Sequence, residues 1–150
     1  MIKVRLAEPS DGPQIGQLIY DTIRKINRKD YSQEQVKAWA PDPIIFSTYD
    51  PSYAYVAELN HRILGFANLT STGYLNRLYV HKDFQGQGIA SRLLQAMEAK
   101  ARELSLHEIT TESSITAKPF FLAHGFVVQQ EQVKVFRGVS FINFKMYKKL

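Results

Sequence analysis

The chain of 150 residues contains no cysteine. That one absence removes disulfides, thiolate metal sites and a cysteine nucleophile. No uninterrupted apolar stretch approaches the roughly 20 residues that a bilayer-spanning helix needs. The opening residues Met1-Ile2-Lys3-Val4-Arg5-Leu6 alternate like a strand and carry no apolar run of the secretion-signal kind. A cytoplasmic protein without a membrane partner is the expectation. Glycine and proline are few, 8 and 6. Nothing is repeated or of low complexity, so one domain over residues 1–150 is expected. Concentrated charge is scarce too. The net charge of +5 suits a polyanionic partner, either nucleic acid or a phosphate-rich cofactor. Its cations are dispersed, with Lys25, Arg28 and Lys29 in one loose group and Lys145, Lys148 and Lys149 in another. No basic helix and no aromatic-interleaved basic strand supports a nucleic-acid-binding module.

What is present is a regular succession of elements. Ile2 to Leu6 reads as a strand with Ile2, Val4 and Leu6 on one face. Ser10-Asp11-Gly12-Pro13 reads as a helix start, a capping residue followed by proline in the first turn, with Ile15, Leu18, Ile19 and Ile23 at helical spacing behind it. Ser32 opens a second helix, and Gln35 completes a capping box. That helix carries Val36 and Trp39 and ends before Pro41. Three strands follow: Ser52 to Leu59, Ile63 to Thr70 and Tyr74 to Val80. Turns at Asn60-His61-Arg62 and Ser71-Thr72-Gly73 make them an antiparallel meander. After a glycine-rich turn, Leu93, Met97, Ala101 and Leu104 mark a helix. A short strand at Ile109–Thr111, a short helix from Ala117 to His124 stopped by Gly125, and two strands around Arg137-Gly138 complete the chain. The expected fold is therefore α/β, a mixed sheet with helices on its faces in the order β-α-α-β-β-β-α-β-α-β-β.

The turn between strand and helix is the chemically informative segment. A helix start leaves several N–H groups unpaired and adds partial positive charge. Gly86 and Gly88 let the backbone approach a pyrophosphate without a Cβ in the way. The Gly-Lys-Ser/Thr of a P-loop and the three-glycine dinucleotide spacing are both missing. The run Leu78-Tyr79-Val80-His81-Lys82-Asp83-Phe84-Gln85-Gly86-Gln87-Gly88-Ile89-Ala90 resembles the signature of the GNAT superfamily of N-acetyltransferases. Gln85-x-x-Gly88-x-Ala90 is similar to that family's Gln/Arg-x-x-Gly-x-Gly/Ala motif, and the element order is similar over nearly the whole chain. Ser114-Ile115-Thr116-Ala117-Lys118-Pro119-Phe120-Phe121, Gly125-Phe126, Arg137-Gly138 and Asn143-Phe144-x-Met146 add a narrower likeness. With Tyr31-Ser32 and Ala38-Trp39-Ala40, they resemble the YafP-type subgroup of bacterial GNAT proteins.

The resemblance implies a sheet splayed between its fourth and fifth strands, an acetyl-CoA co-substrate and an amine acceptor. It implies direct transfer without a metal, and it is compatible with a homodimer. The backbone of Leu78, Tyr79 and Val80 would line the pantetheine. The turn Gln85, Gly86, Gln87, Gly88, Ile89, Ala90 and Ser91 would hold the pyrophosphate, and the Val80 N–H would polarise the thioester carbonyl. An attacking amine must first lose a proton, and Glu112 is the preferred base. His81 and His124 titrate in the useful range but read as surface residues. Where relatives often carry a tyrosine proton donor, four residues before the glycine of Gly-Phe, this chain has Phe121. Where relatives often carry asparagine it has Ser114, which retains a hydroxyl for the cofactor. The acceptor pocket implied by the fold takes Tyr31, Trp39, Asn76, Arg137 and Asn143, with Asn27, Arg28 and Asp30 in a nearby loop. Because Phe121 cannot donate a proton, a non-catalytic acetyl-CoA sensor is the alternative reading.

Overall fold

A computed structural model describes residues 1–150. Its strands are β1 (Lys3–Leu6), β2 (Tyr53–Leu59), β3 (Arg62–Leu69), β4 (Tyr74–Val80), β5 (Glu108–Ser114), β6 (Val127–Phe136) and β7 (Val139–Lys149). Its helices are α1 (Gly12–Lys25), α2 (Gln33–Trp39), α3 (Ile89–Glu103) and α4 (Lys118–Ala123), together with three short 3-10 turns. The element order is the one expected from the sequence. No helix is long and apolar enough to cross a membrane. The seven strands form one sheet in the order β1-β2-β3-β4-β5-β7-β6. Every pairing is antiparallel except that of β4 with β5.

Two apolar clusters lie in this fold. One joins α3, with Ile89, Leu93, Leu94 and Met97, to Leu64, Leu75, Ile109, Phe121, Phe126 and Met146. The other joins α1, with Ile15, Leu18, Ile19 and Ile23, to Val56, Phe66, Tyr31, Val36 and Phe141. The central strand β3 is buried from Ile63 to Leu69 because helices cover both sides. Gly65 is what lets α3 approach so closely. A Cβ there would lie 2.8 Å from Leu93 Cδ1 and 2.9 Å from Ile89 Cγ2, and such overpacking costs about 1–3 kcal/mol. Two-residue corners are made by non-glycine residues at positive φ, Asn60 with His61 and Arg137 ahead of Gly138.

Three local expectations are corrected. Leu6 does not join the core face of β1 and is 58% exposed. Arg5 is drawn inward instead, donating to both carboxylate oxygens of Asp11 and to Glu58. The start of α1 has no side-chain cap, because the Asp11 carboxylate is taken up by Arg5 and by the Glu8 N–H. Finally, β5 spans seven residues rather than three, since β7 pairs with it from Glu108 to Ser114. By contrast, the Ser32–Gln35 capping box forms as expected, with bonds of 3.1 and 2.7 Å.

Candidate active site

Parallel pairing of β4 with β5 is confined to Tyr74–Thr110 and Leu75–Thr111. The cause lies one strand away. The β3–β4 register steps between Asn68 and Leu69, which leaves Asn76 as an extra residue on β4, and such a bulge bends its strand. Thr111 Oγ1 donates to the Leu75 carbonyl at 2.9 Å and fastens the last paired rung. Beyond it the strands part. Two cavities, of about 450 and 410 Å³, meet at the gap and share Trp39, Asn76, Tyr79, Glu112 and Ser114 as common lining.

The first cavity is bordered by the end of β4 and the start of α3. The Val80 carbonyl accepts from Thr22 Oγ1 at 2.9 Å and from Gln85 Nε2 at 2.7 Å, which ties α1 and the turn to the strand end. The His81 N–H bonds back to Leu64 at 2.8 Å, so alternation along an antiparallel strand turns the Val80 and Leu78 N–H groups toward the gap. From Gln85 to Ser91 no backbone N–H has an acceptor within the protein. Gly86 and Gly88 stand at φ of 72° and 80°, values that favour glycine. A Cβ on either would meet no atom within 4 Å, so the space before them is open. A row of free amides at the start of a 15-residue helix, with that space in front of it, fits a diphosphate. Thr116, whose buried hydroxyl lacks a protein partner, lines the same cavity. Phe121 lines it as a buried ring packed 5.0 Å from Phe126.

The second cavity is walled by rings. Tyr31 and Trp39 meet edge to face at 5.5 Å, and Phe141 lies 6.0 Å from Tyr31. Tyr74, Tyr79 and Phe136 complete the walls. The Tyr31 hydroxyl donates to the Ile142 carbonyl at 2.7 Å and accepts from the Ile115 N–H at 2.9 Å. It thereby binds the approach to α2 to both sides of the sheet end. Glu112 projects into this space with both oxygens engaged, Oε1 3.3 Å from Lys134 Nζ and Oε2 accepting from Gln132 Nε2 at 3.1 Å. Burial pushes the Tyr79 hydroxyl up to about 12. Burial, reinforced by the Glu112 charge, also raises Tyr74.

Most expected residues converge on the gap. Leu78, Tyr79, Val80, Gln85, Gly86, Gly88, Ile89, Ala90, Ser91, Ser114 and Phe121 line the first cavity, as does Asn27. Gln87 contributes backbone to the turn but does not line it. Tyr31, Trp39, Asn76 and Asn143 line the second, and Glu112 lines both. Arg137 lines neither. Its guanidinium donates to the Ala38 carbonyl at 2.7 Å and lies over Phe136, pinning the hairpin tip to α2. Ser114 Oγ accepts from the Ala117 N–H at 3.0 Å and so also serves the entry to α4. Sequence reasoning missed Thr22, Tyr74, Gln132, Lys134 and Phe136. Gln132, Lys134 and Phe136 recur at a spacing of two, which marks one strand face. Nothing in that spacing told which face turns to the gap.

Comparisons with known proteins agree with this geometry. Residues 27–148 match the acetyltransferase (GNAT) domain family. The chain is 31% identical over 147 residues to the uncharacterized N-acetyltransferase YafP of Escherichia coli (strain K12), covering 97% of this chain and 94% of that protein. A GCN5-related N-acetyltransferase from Rhodopseudomonas palustris has the same fold, with a TM-score of 0.92 at 29% identity over 99% of this chain and 95% of that one. The PaiA N-acetyltransferase of Thermoplasma acidophilum, solved in complex with coenzyme A, shares the fold at 17% identity with a TM-score of 0.75, covering 100% and 99% of the two chains.

Proposed function

The chain belongs to the GNAT acetyltransferase family, and from that premise we propose that it transfers acetyl from acetyl-CoA directly to a primary amine of a small molecule or peptide, with residues 1–150 acting as one catalytic domain. The carrying observation is the run of unpaired amides from Gln85 to Ser91, opening on a gap whose other side is a separate ring-walled cavity. Bound there, acetyl-CoA supplies a thioester whose acyl carbon an unprotonated amine attacks.

The chain's own residues then have distinct tasks. The amides of the turn hold the diphosphate, and the N–H groups of Leu78 and Val80 hold the pantetheine arm as an added strand would. The Val80 N–H also donates to the carbonyl oxygen where negative charge develops. An alkylammonium has a pKa of about 10, so its proton must be removed near neutrality. Glu112 lies on the shared wall and receives it, while Lys134 and Gln132 fix the carboxylate in place. Burial raises the Tyr79 hydroxyl to about 12, which disfavours loss of its proton. With Phe121 in place of a tyrosine donor, the thiolate departs without a proton from that position. Asn76 and Asn143 orient the acceptor between the rings of Tyr31, Trp39 and Phe141.

The test is release of free thiol from acetyl-CoA across a panel of amines, amino acids and peptides. Turnover with a subset of primary amines is expected. Tight coenzyme binding with no thiol release from any acceptor would sink the catalytic reading and leave a binding domain.

A further inference from the structure

At the rim of the first cavity a hydroxyl, an imidazole and a carbonyl stand in line. Ser91 Oγ is 2.8 Å from His124 Nε2, and His124 Nδ1 is 2.8 Å from the Phe120 carbonyl oxygen. The imidazole stacks on the Phe120 ring with centroids 4.2 Å apart, which fixes its orientation. A carbonyl oxygen only accepts, so Nδ1 carries a hydrogen whatever the charge of the ring. In the neutral ring Nε2 is then a bare acceptor, and the Ser91 hydroxyl must donate to it. The hydroxyl thus sends its single hydrogen inward and turns its lone pairs toward the open space that the free amides of Gln85 to Ser91 make attractive to an anion. In the imidazolium, Nε2–H donates to Ser91 Oγ. The hydroxyl hydrogen is then free to point at the anion.

We propose that His124 is a coenzyme-positioning residue: on binding coenzyme A it takes up a proton and thereby turns the Ser91 hydroxyl into a donor to the diphosphate. The proposal rests on the reading of this cavity as the coenzyme site. No bond forms or breaks beyond the proton, which comes from solvent. Nothing already in the protein does the anion's work. On α3, Arg92 donates to the Ile2 carbonyl, and Glu98 pairs with Lys148 of β7 at 2.8 Å. Lys118 of α4 lies over the Phe144 ring. None of these reaches a nitrogen of His124, whose partners are Ser91 and Phe120. The anion itself is therefore the group that favours the charged ring. The sign follows: affinity is greatest at acid pH, falls as pH rises through the window between the free-state and bound-state values of the imidazole, and levels off above it.

The test uses 3′-dephospho-coenzyme A, which lacks the separately titrating monophosphate, and calorimetry in buffers of different ionisation enthalpy. For the wild type the affinity should weaken about tenfold from acid to alkaline pH, with net proton uptake on binding. His124→Gln places an amide donor near the position of Nε2, and should bind with a flat pH profile at the tight level. Ser91→Ala should be flat at the weak level. A flat wild-type profile without proton uptake would overturn the role of His124, as would the wild-type slope persisting in His124→Gln. Should that variant fail to fold, nitrogen NMR of the wild-type imidazole decides, and an unmoved titration on binding overturns the proposal. Absence of binding at every pH would instead overturn the coenzyme site, and this role with it.

Discussion

The first cavity is bordered by one local stretch, Gln85 to Ser91, whose backbone amides have no acceptor in the protein. The second cavity, across the gap, collects side chains from far apart in the chain: Tyr31 before α2, Trp39 at its end, Glu112 from β5, Lys134 from β6 and Asn143 from β7. A backbone-made site needs only a conformation, and two glycines at positive φ supply it. A side-chain-made site depends on every element arriving at the right register. On the proposed function, the first cavity should therefore fail through backbone changes and tolerate most side-chain changes, while the second should do the reverse.

The largest break in that contrast is Gly88→Val. A β-branched residue at φ of 80° is strained by about 1–3 kcal/mol, and its side chain fills the space in front of the amides. Coenzyme affinity should drop by about 100-fold or more, the strain being only part of the loss. Calorimetric affinity equal to wild type would mean that the diphosphate lies elsewhere. Next comes Glu112→Gln, expected to lower kcat by about 100-fold, within the usual contribution of a positioned base. The loss should be greatest at low pH, and coenzyme affinity should hold. A parallel pH–rate profile would remove Glu112 as the base.

Lys134→Gln gives a smaller and more selective change, less than about tenfold in kcat/KM. Removing a cation 3.3 Å from Glu112 leaves the carboxylate held by Gln132 alone, so turnover of the amine should fall while coenzyme affinity stays put. Last is Asp11→Asn, remote from both cavities. Arg5 holds the Asp11 carboxyl below the usual carboxylate range. The wild type should thus exceed the variant in stability above that range, by about 1.5–3 kcal/mol for a hydrogen bond to a charged group. The margin should shrink as pH falls through the lowered value. Thermal unfolding across pH measures it, and unchanged kcat and coenzyme affinity confirm the remoteness.

Much of the fold is legible because its signals are local. Ser32 with Gln35 announces α2, the spacing of Ile15, Leu18, Ile19 and Ile23 announces the buried face of α1, and Asn60-His61 marks a corner. Failures occur where a distant partner decides. Leu6 is left 58% exposed, whereas Arg5 beside it is held by Glu58, 53 positions away. The full length of β5 depends on β7, since a strand with little apolar content is defined by what it pairs with. The same holds in the site. Arg137 has the charge expected of a substrate contact, yet a carbonyl on α2 claims it. Lys134 had no local mark, and it meets Glu112 only because the β6–β7 hairpin brings the two together.

The order of residues alone determined the element succession and the glycine-rich turn, because capping, helical periodicity and the conformational freedom of glycine act within a few positions. The tertiary structure alone decided how wide the sheet opens and which side chains meet across it. That opening depends on a one-residue register step between β3 and β4, and a register belongs to a pair of strands rather than to either sequence. The wall of the second cavity inherits the same dependence, so its chemistry appears only once the strands are paired.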